Sequence, residues 1–216
     1  MLSLIDIHEL HHTLRPTIEE RLHGFRDQWE SASEEELFRE VVFCLLTPQS
    51  KGRACWDAAC ALDNKGLLLT GAAEDVAAAL ASTGVRFHHT KARRIVAARL
   101  LFAPEGRLSV RSVLGRFKDP KDAREWLVEH VKGLGYKESG HLLRNLGMGA
   151  HLAILDRHIL RCLKELEVIA EIPKTLTPRR YLAIEREMAA FAEREGIPLD
   201  HLDLVFWARA TGEVFK

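Results

Sequence analysis

The sequence predicts an all-α protein, and two observations lead to that prediction. Apolar residues recur three or four positions apart along almost the whole chain, which is the spacing of one helix face. Helix start and stop signals separate these segments, and the sequence has no convincing alternating strand pattern, low-complexity tract or internal repeat. With 216 residues, 47% of them apolar, the chain can bury a substantial core as one large domain or two small ones.

Two capping boxes predict the first helices, because a Ser or Thr followed three residues later by Glu satisfies two free amides at a helix start. Thr17 and Glu20 predict the first start. Ser33 and Glu36 predict the second, and this helix is expected to end near Thr47. The residues expected to face inward are Ile18, Leu22, Phe25 and Trp29 in the first helix and Leu37, Val41, Cys44 and Leu45 in the second.

The middle of the chain is also predicted to be helical. A short helix over 73–80 is expected to end by Gly84. Thr90 is predicted to cap the next helix, which carries Ile95, Val96 and Leu100 on one face.

Gly133 and Gly135, one residue apart, predict a tight hairpin between two helical segments. The apolar positions are Ala123, Trp126 and Leu127 before the hairpin and Leu142, Leu143 and Leu146 after it, and Gly147 ends the second helix. The backbone amides of such a hairpin and the N-terminus of the following helix form an anion site. Lys137 lies on the first turn of that helix, beside any phosphate that the hairpin holds. An amine beside a phosphate backbone, with the carboxylate of Asp156 nineteen residues later, suggests Schiff-base chemistry on a nucleotide.

Three more helices are predicted in the last third of the chain. Asp156 is a favoured N-cap residue and is expected to begin the first of them. Thr177 followed by Pro178 predicts the start of the second, which ends at Gly196. The third is expected from about 198 to 210.

The net charge is zero, but the charges are unevenly distributed. Residues 17–40 include eight acids and three bases, whereas 86–118 include nine bases and one acid. The basic stretch is interpreted either as a surface that faces phosphates or as a solvated helix face that pairs with the acidic segment. Its bases are Arg86, Lys91, Arg93, Arg94, Arg99, Arg107, Arg111, Arg116 and Lys118.

The composition argues against several classes of protein. No apolar run approaches the ~20 residues that a membrane span needs. The N-terminal segment has no basic region and reaches an acid at Asp6, so it does not resemble a signal peptide, and we expect a cytoplasmic protein. The four cysteines form no C-x-x-C pair, which makes a zinc ribbon or a four-cysteine iron–sulfur cluster unexpected.

His8, Glu9 and His12 match the H-E-x-x-H pattern of zinc proteases. Such proteases build this helix deep within a domain, whereas only seven residues precede His8 here. We therefore favour a chance match on a surface helix and expect no metal site.

The combination of a glycine hairpin, Lys137 and Asp156 resembles the helix-hairpin-helix DNA glycosylases. In that superfamily a lysine follows the hairpin and an aspartate begins the next helix. The chain is most similar to the archaeal and bacterial type-2 8-oxoguanine DNA glycosylase/AP lyases, where AP denotes an apurinic or apyrimidinic site. The segments that carry this resemblance are 38–47, 84–92, 135–145, 172–174, 207 and 211–216.

The resemblance implies two helical subdomains, with a helix-hairpin-helix motif (about 123–147) at the cleft between them. One subdomain consists of 1–32 together with 148–216, and the other of 33–147. The implied activity is removal of 8-oxoguanine from double-stranded DNA by base flipping, followed by strand nicking. No cofactor is implied, and we expect a nucleoid-associated monomer.

The resemblance also assigns roles to individual residues. Lys137 is the implied nucleophile at C1′, although it also fits an exposed helix lysine. Asp156 helps to activate Lys137 and stabilises positive charge on the sugar, a role compatible with capping its own helix. The residues implied to line the pocket for the damaged base are Asp203, Trp207, Lys216 and Phe87. Trp207 and Phe87 could instead be packed in the core, and Lys216 could be an ordinary frayed chain end.

The residues implied to contact DNA are Gln49, His88, Arg93, Lys132, Gly133 and Gly135. Gln49 is expected to fill the gap that the flipped base leaves. The segment Pro48, Gln49 and Ser50 departs from the type-2 pattern, which has Ala-Asn-Trp there, so the preference for the lesion and for the opposite base stays open.

Two other functions remain possible on the sequence alone. An enzyme on the same scaffold with a different lesion preference is one. A non-catalytic module that uses the hairpin only to hold phosphates is the other.

Overall fold

The computed structural model describes residues 2–216, and over that range it contains helices and no strand, so the predicted all-α class is confirmed. The helices are α1 (Leu4–Ser31), α2 (Glu34–Leu46), α3 (Gly52–Asn64), α4 (Leu67–Thr70), α5 (Ala73–Leu80), α6 (His88–Phe102), α7 (Val110–Leu114), α8 (Pro120–His130), α9 (Tyr136–Asn145), α10 (Arg157–Glu165), α11 (Pro178–Glu195) and α12 (Leu199–Thr211).

Several predicted helix starts are confirmed by their hydrogen bonds. The Ser33 hydroxyl accepts from the Glu36 amide, and the Glu36 carboxylate accepts from the Ser33 amide, which is the predicted capping box of α2. Asp156 caps α10, and the Thr177 hydroxyl caps α11. These starts depend on residues within one turn of each other, which is why the sequence reveals them.

The predicted helix start at Thr17 is wrong, because α1 is one continuous helix that passes through Pro16. The actual start is a capping box of Ser3 and Asp6. The buried face of α1 continues across the expected break, and packing of that face overrides the local start signal. Its buried residues are Ile7, Ile18, Leu22 and Phe25.

The start of α6 also differs from the prediction. This helix begins at His88, and its N-cap is Phe87, which makes no side-chain capping bond, so Thr90 is not the cap. Ile95 is buried as expected, whereas Leu100 is exposed to solvent.

Helices α3, α4 and α7 have no counterpart among the predicted elements. The buried face of α3 is formed by small residues, which give a weak apolar period. Helices α4 and α7 have only four and five residues, so neither completes a recognisable pattern.

Two separate apolar cores organise the described chain. One core gathers buried residues from α2 to α9 together with Phe215. The other joins α1 to α10, α11 and α12. On this basis we keep the division into 1–32 plus 148–216 and 33–147 as a proposal. In residues 2–216, no helix is both long enough and apolar enough to cross a membrane.

A buried ion pair connects the first helix of the hairpin motif to α11. Arg124 on α8 donates to both carboxylate oxygens of Glu185, at 2.5 and 2.8 Å. The same carboxylate accepts from the amide of Ala153, at 2.8 Å. Both charged side chains are almost fully buried, so the interaction between them has to replace the hydration that each charge loses on burial.

Replacing Glu185 by alanine is expected to destabilise the protein by about 3–5 kcal/mol, because Arg124 is left buried without a counter-charge. Urea denaturation of wild type and variant measures this difference. Glu187→Ala, at an exposed position of the same helix, is the control. Equal stability of the two variants would contradict this prediction.

Candidate active site

A single cavity of about 970 Å³ brings together six of the predicted site residues. It lies beside the N-terminal turn of α9 and is also lined by the segment before α10, by α12, by the C-terminus and by the loop between α2 and α3. The predicted residues that line it are Gln49, Lys137, Asp156, Asp203, Trp207 and Lys216.

The glycine hairpin places Lys137 on the first turn of α9. Gly133 has φ +107°, a conformation that favours glycine, and the Leu134 amide donates to the Val131 carbonyl at 3.0 Å. The Lys137 side chain is about one-quarter exposed at the cavity, and its ammonium lies 3.3 Å from the Glu138 carboxylate. A ligand in the cavity can therefore reach the Lys137 amine, and the Glu138 carboxylate is the nearby counter-charge of its ammonium form.

Asp156 is held at the N-terminus of α10 by its own helix. Its Oδ1 accepts from the amides of His158 and Ile159, at 2.7 and 2.9 Å. The preceding segment is fixed by the buried Tyr181 hydroxyl, which donates to the Ala153 carbonyl at 2.6 Å. Because both capping hydrogen bonds are made to Oδ1, the other oxygen, Oδ2, takes no part in capping and can face a substrate.

Asp203 lies at the buried side of the cavity and pairs with Arg144. Burial raises the pKa of Asp203 to about 6, although the Arg144 guanidinium opposes that shift. The expected role of Asp203, accepting hydrogen bonds from a purine, therefore competes with an internal ion pair and stays a prediction.

Trp207 is half-buried on α12, one turn after Asp203, and its indole contacts the imidazole of His158 edge to face, with ring centroids 5.5 Å apart. Both rings line the cavity. The indole therefore has a position from which a base can stack on it, which plain core packing does not require.

Lys216 is ordered and largely buried at the end of the chain. Its ammonium pairs with the fully buried Glu40 and lies 3.6 Å from the centroid of the Trp56 ring. Burial lowers the pKa of Lys216, while the Glu40 carboxylate opposes the shift. A frayed end is thus excluded, because the terminal side chain belongs to a buried polar cluster.

His141 lines the same cavity, although it is not among the predicted site residues. It follows Lys137 by one helical turn, so the two side chains share a face of α9. In the described part of the chain neither ring nitrogen has a hydrogen-bond partner, and the ring packs against Phe43. Burial, together with the charges of Arg144 and Lys137, holds the pKa of His141 well below its ordinary value, so the imidazole is neutral.

The remaining predicted site residues lie outside the cavity lining, and these include Phe87, a residue expected in the pocket for the damaged base. Phe87 is 55% exposed with φ +59°, so a buried position for it is wrong. The His88 ring lies beside that of His89, with ring centroids 4.3 Å apart and planes tilted by 41°. The hairpin lies against α6, since a Cβ at Gly133 would come within 2.6 Å of Arg94 Cδ. The predicted residues that do not line the cavity are Phe87, His88, Arg93, Lys132, Gly133 and Gly135.

The interpretation of 86–118 as one surface facing phosphates is wrong for three of its bases. Lys91 and Arg99 are anchored on backbone carbonyls inside the protein. Arg111 donates to Glu34 at 3.0 Å, which confirms part of the alternative pairing with the acidic segment. A run of basic residues in the sequence does not show which side chains are buried, because an ammonium or guanidinium group can equally donate hydrogen bonds to carbonyls inside the protein.

The residues of the H-E-x-x-H pattern lie on α1, away from the cavity. His8 pairs with Glu195 on α11 at 3.3 Å. Within 2–216 no group of three or more His, Cys, Asp or Glu side chains is arranged to hold a metal ion.

Comparison with known proteins identifies the family. The family model for 8-oxoguanine DNA glycosylase matches residues 18–197. The "8-oxoguanine DNA glycosylase/AP lyase" of Fusobacterium nucleatum is 39% identical over 98% of this chain and 96% of its own, and that of Methanocaldococcus jannaschii is 36% identical over 100% of both chains.

Solved structures agree with this comparison. The M. jannaschii glycosylase/lyase in complex with a 15mer DNA containing 8-oxoguanine superposes with a TM-score of 0.88 and 36% identity, covering 99% of each chain. The 8-oxoguanine DNA glycosylase of Thermotoga maritima gives 0.87 and 33% identity, covering 99% of this chain and 98% of its own. The chain belongs to the 8-oxoguanine DNA glycosylase/AP lyase family.

Proposed function

We propose that this chain excises 8-oxoguanine from duplex DNA and nicks the resulting AP strand, with Lys137 as nucleophile and Asp156 as the supporting carboxylate. Its family is that of glycosylase/AP lyases, which gives the reaction class. The observation that supports the residue assignment is the cavity that both side chains line. The proposed place of action is chromosomal DNA in the cytoplasm, at the nucleoid.

The chemistry follows from an amine placed beside a flipped nucleotide. The Lys137 amine, once deprotonated, forms a bond to C1′ as the bond from C1′ to the base breaks, and the base leaves after taking up a proton. Opening of the C1′–O4′ bond, with a proton passing from the lysine nitrogen to O4′, then gives the imine. Loss of a C2′ proton from the protonated imine breaks the bond between C3′ and its phosphate oxygen, and the phosphate leaves with the downstream strand. Asp156 stabilises the positive charge that develops on the sugar, because a fixed carboxylate is already oriented when that charge forms.

The cavity offers two kinds of contact to the extruded base. The Trp207 indole provides a stacking face, an interaction worth roughly 1–3 kcal/mol per base. His141, being neutral, offers one donor and one acceptor from its ring nitrogens. A purine edge carries groups of both kinds, so we propose these two nitrogens, which are buried in the cavity wall, as its partners when a base is bound.

The hairpin and the loop between α2 and α3 are the proposed DNA contacts around the cavity. The amides of Gly133 and Gly135, with Lys132 beside them, are the proposed phosphate donors near the N-terminus of α9. In this structure the Gly135 amide donates to the Glu138 carboxylate at 3.3 Å, so a phosphate would have to take the place of that carboxylate. Gln49 enters the space that the flipped base leaves, and Phe87 and His88 contact the duplex from the start of α6.

Borohydride trapping with the wild-type protein tests this function. Three duplexes are compared: 8-oxoguanine opposite cytosine, a preformed AP site, and undamaged DNA. We expect a covalent adduct on the first two and none on the third. An adduct on the AP duplex alone would assign a different lesion, which a base-release panel identifies. No adduct on any duplex would overturn the lyase mechanism and leave a DNA-binding module or a glycosylase that uses water.

Replacing His141 by phenylalanine is expected to slow base release by roughly 5- to 150-fold, because the polar groups of the bound base lose a partner worth about 1–3 kcal/mol. Nicking of a preformed AP site, which has no base to recognise, is expected to be unchanged. Single-turnover assays on the two duplexes measure both steps. An equal loss on both duplexes would show that His141 only supports the fold around Lys137.

A further inference from the structure

Lys91 is a buried cation bound by the end of α2 and by the loop that follows it. Its side chain is 2% exposed, and its ammonium donates to the carbonyls of Leu46 and Pro48 and to the Ser50 hydroxyl, at 2.7, 2.8 and 3.0 Å. These three acceptors use all three ammonium protons. Burial lowers the pKa of Lys91, and no carboxylate compensates for that burial within these bonds. A lysine in this position is therefore specialised for holding the loop.

The loop that Lys91 holds, 47–51, forms one wall of the cavity. At its centre Gln49 has φ +56°, a left-handed conformation that is unfavourable for a residue with a side chain. Ser50 strengthens the anchor, because its hydroxyl also accepts from the Arg86 amide at 3.0 Å. The strained Gln49 thus lies between two residues that are tied to the start of α6.

We propose that Lys91 is a positioning residue for base extrusion: it fixes loop 47–51 so that Gln49 is presented to the DNA stack in one conformation. This inference rests on the proposed function. The anchor depends on Ser50, and Ser50 belongs to the segment in which this chain departs from the type-2 pattern.

The physical consequence is specific to substrates that must be unpaired. Extruding a paired base requires energy for unpairing and unstacking, and that energy is smaller for a mismatched or unpaired base. A loop held in one conformation contributes to extrusion without losing conformational entropy on binding. Removing the anchor should therefore affect 8-oxoguanine opposite cytosine much more than 8-oxoguanine opposite an abasic analogue.

The experiment measures single-turnover base release by Lys91→Met on these two duplexes. We expect a loss on the order of 10- to 100-fold with the paired lesion, and close to the wild-type rate with the unpaired one. Ser50→Ala is the milder variant, and it decides the outcome if Lys91→Met does not fold. In a Gln49→Ala background, Lys91→Met should add little further loss.

Arg99→Met is the matched control. Arg99 lies on the same helix as Lys91 and also donates to backbone carbonyls, those of Leu67, Leu68 and Gly71. These three residues do not line the cavity. Its variant is expected to lose stability without changing the ratio of rates on the two duplexes.

Three results would overturn the proposal: an equal loss on both duplexes, no loss on either, or a change of the ratio in Arg99→Met as large as in Lys91→Met. Failure of the proposed function is distinguishable from these, because the wild-type protein would then release no base from either duplex.

Discussion

Lys137→Gln is expected to abolish borohydride trapping and to lower base release by about 10³-fold or more, because the covalent route has lost its nucleophile. Glutamine is an unbranched residue with nearly the same helix propensity as lysine, so α9 should stay folded. The variant should still bind duplex DNA, since the hairpin amides that we propose to hold phosphates belong to the backbone.

The control for this variant is Lys121→Gln, an exposed lysine on the neighbouring helix α8. Both proteins are assayed on the lesion duplex and on the preformed AP duplex. Trapping by Lys137→Gln at the wild-type level would mean that another amine carries the reaction.

Asp156→Asn is expected to lower base release by about 10²- to 10³-fold, which is typical for the loss of one preorganised electrostatic group at a reacting centre. Asparagine caps a helix about as well as aspartate, so the thermal stability of the variant should stay close to that of wild type. One substitution thereby separates the observed capping role of Asp156 from its proposed catalytic role.

Asp119→Asn provides the matched control, because Asp119 is also a capping aspartate. Its carboxylate accepts from the Lys121 amide at 2.9 Å at the start of α8, outside the cavity lining. Rates are measured in single turnover and stability by thermal denaturation. Equal rates for the two variants would assign Asp156 a purely structural role.

Local signals account for what the sequence predicts well. The caps at Ser33, Asp156 and Thr177 are formed by residues within one turn, so their chemistry is visible in the order of residues. The position of Lys137 follows in the same way, since the hairpin and the start of α9 are adjacent in sequence.

Long-range contacts account for what the sequence does not predict. Glu40 binds the ammonium of Lys216, which lies 176 residues further along the chain, and no local pattern indicates that pairing. The burial of Lys91 depends on a loop 41 to 45 residues earlier in the chain. His141 was detectable only through its spacing from Lys137, a signal that acquires meaning once the lysine faces a cavity.

The most direct test of the account is to locate the trapped sugar on the protein. Wild-type protein is reduced with borohydride on the 8-oxoguanine duplex, digested, and the modified peptide is sequenced by mass spectrometry. We predict that the adduct is on Lys137. An adduct on Lys132, on Lys216 or on any other amine would contradict the assignment of the nucleophile and, with it, the proposed mechanism.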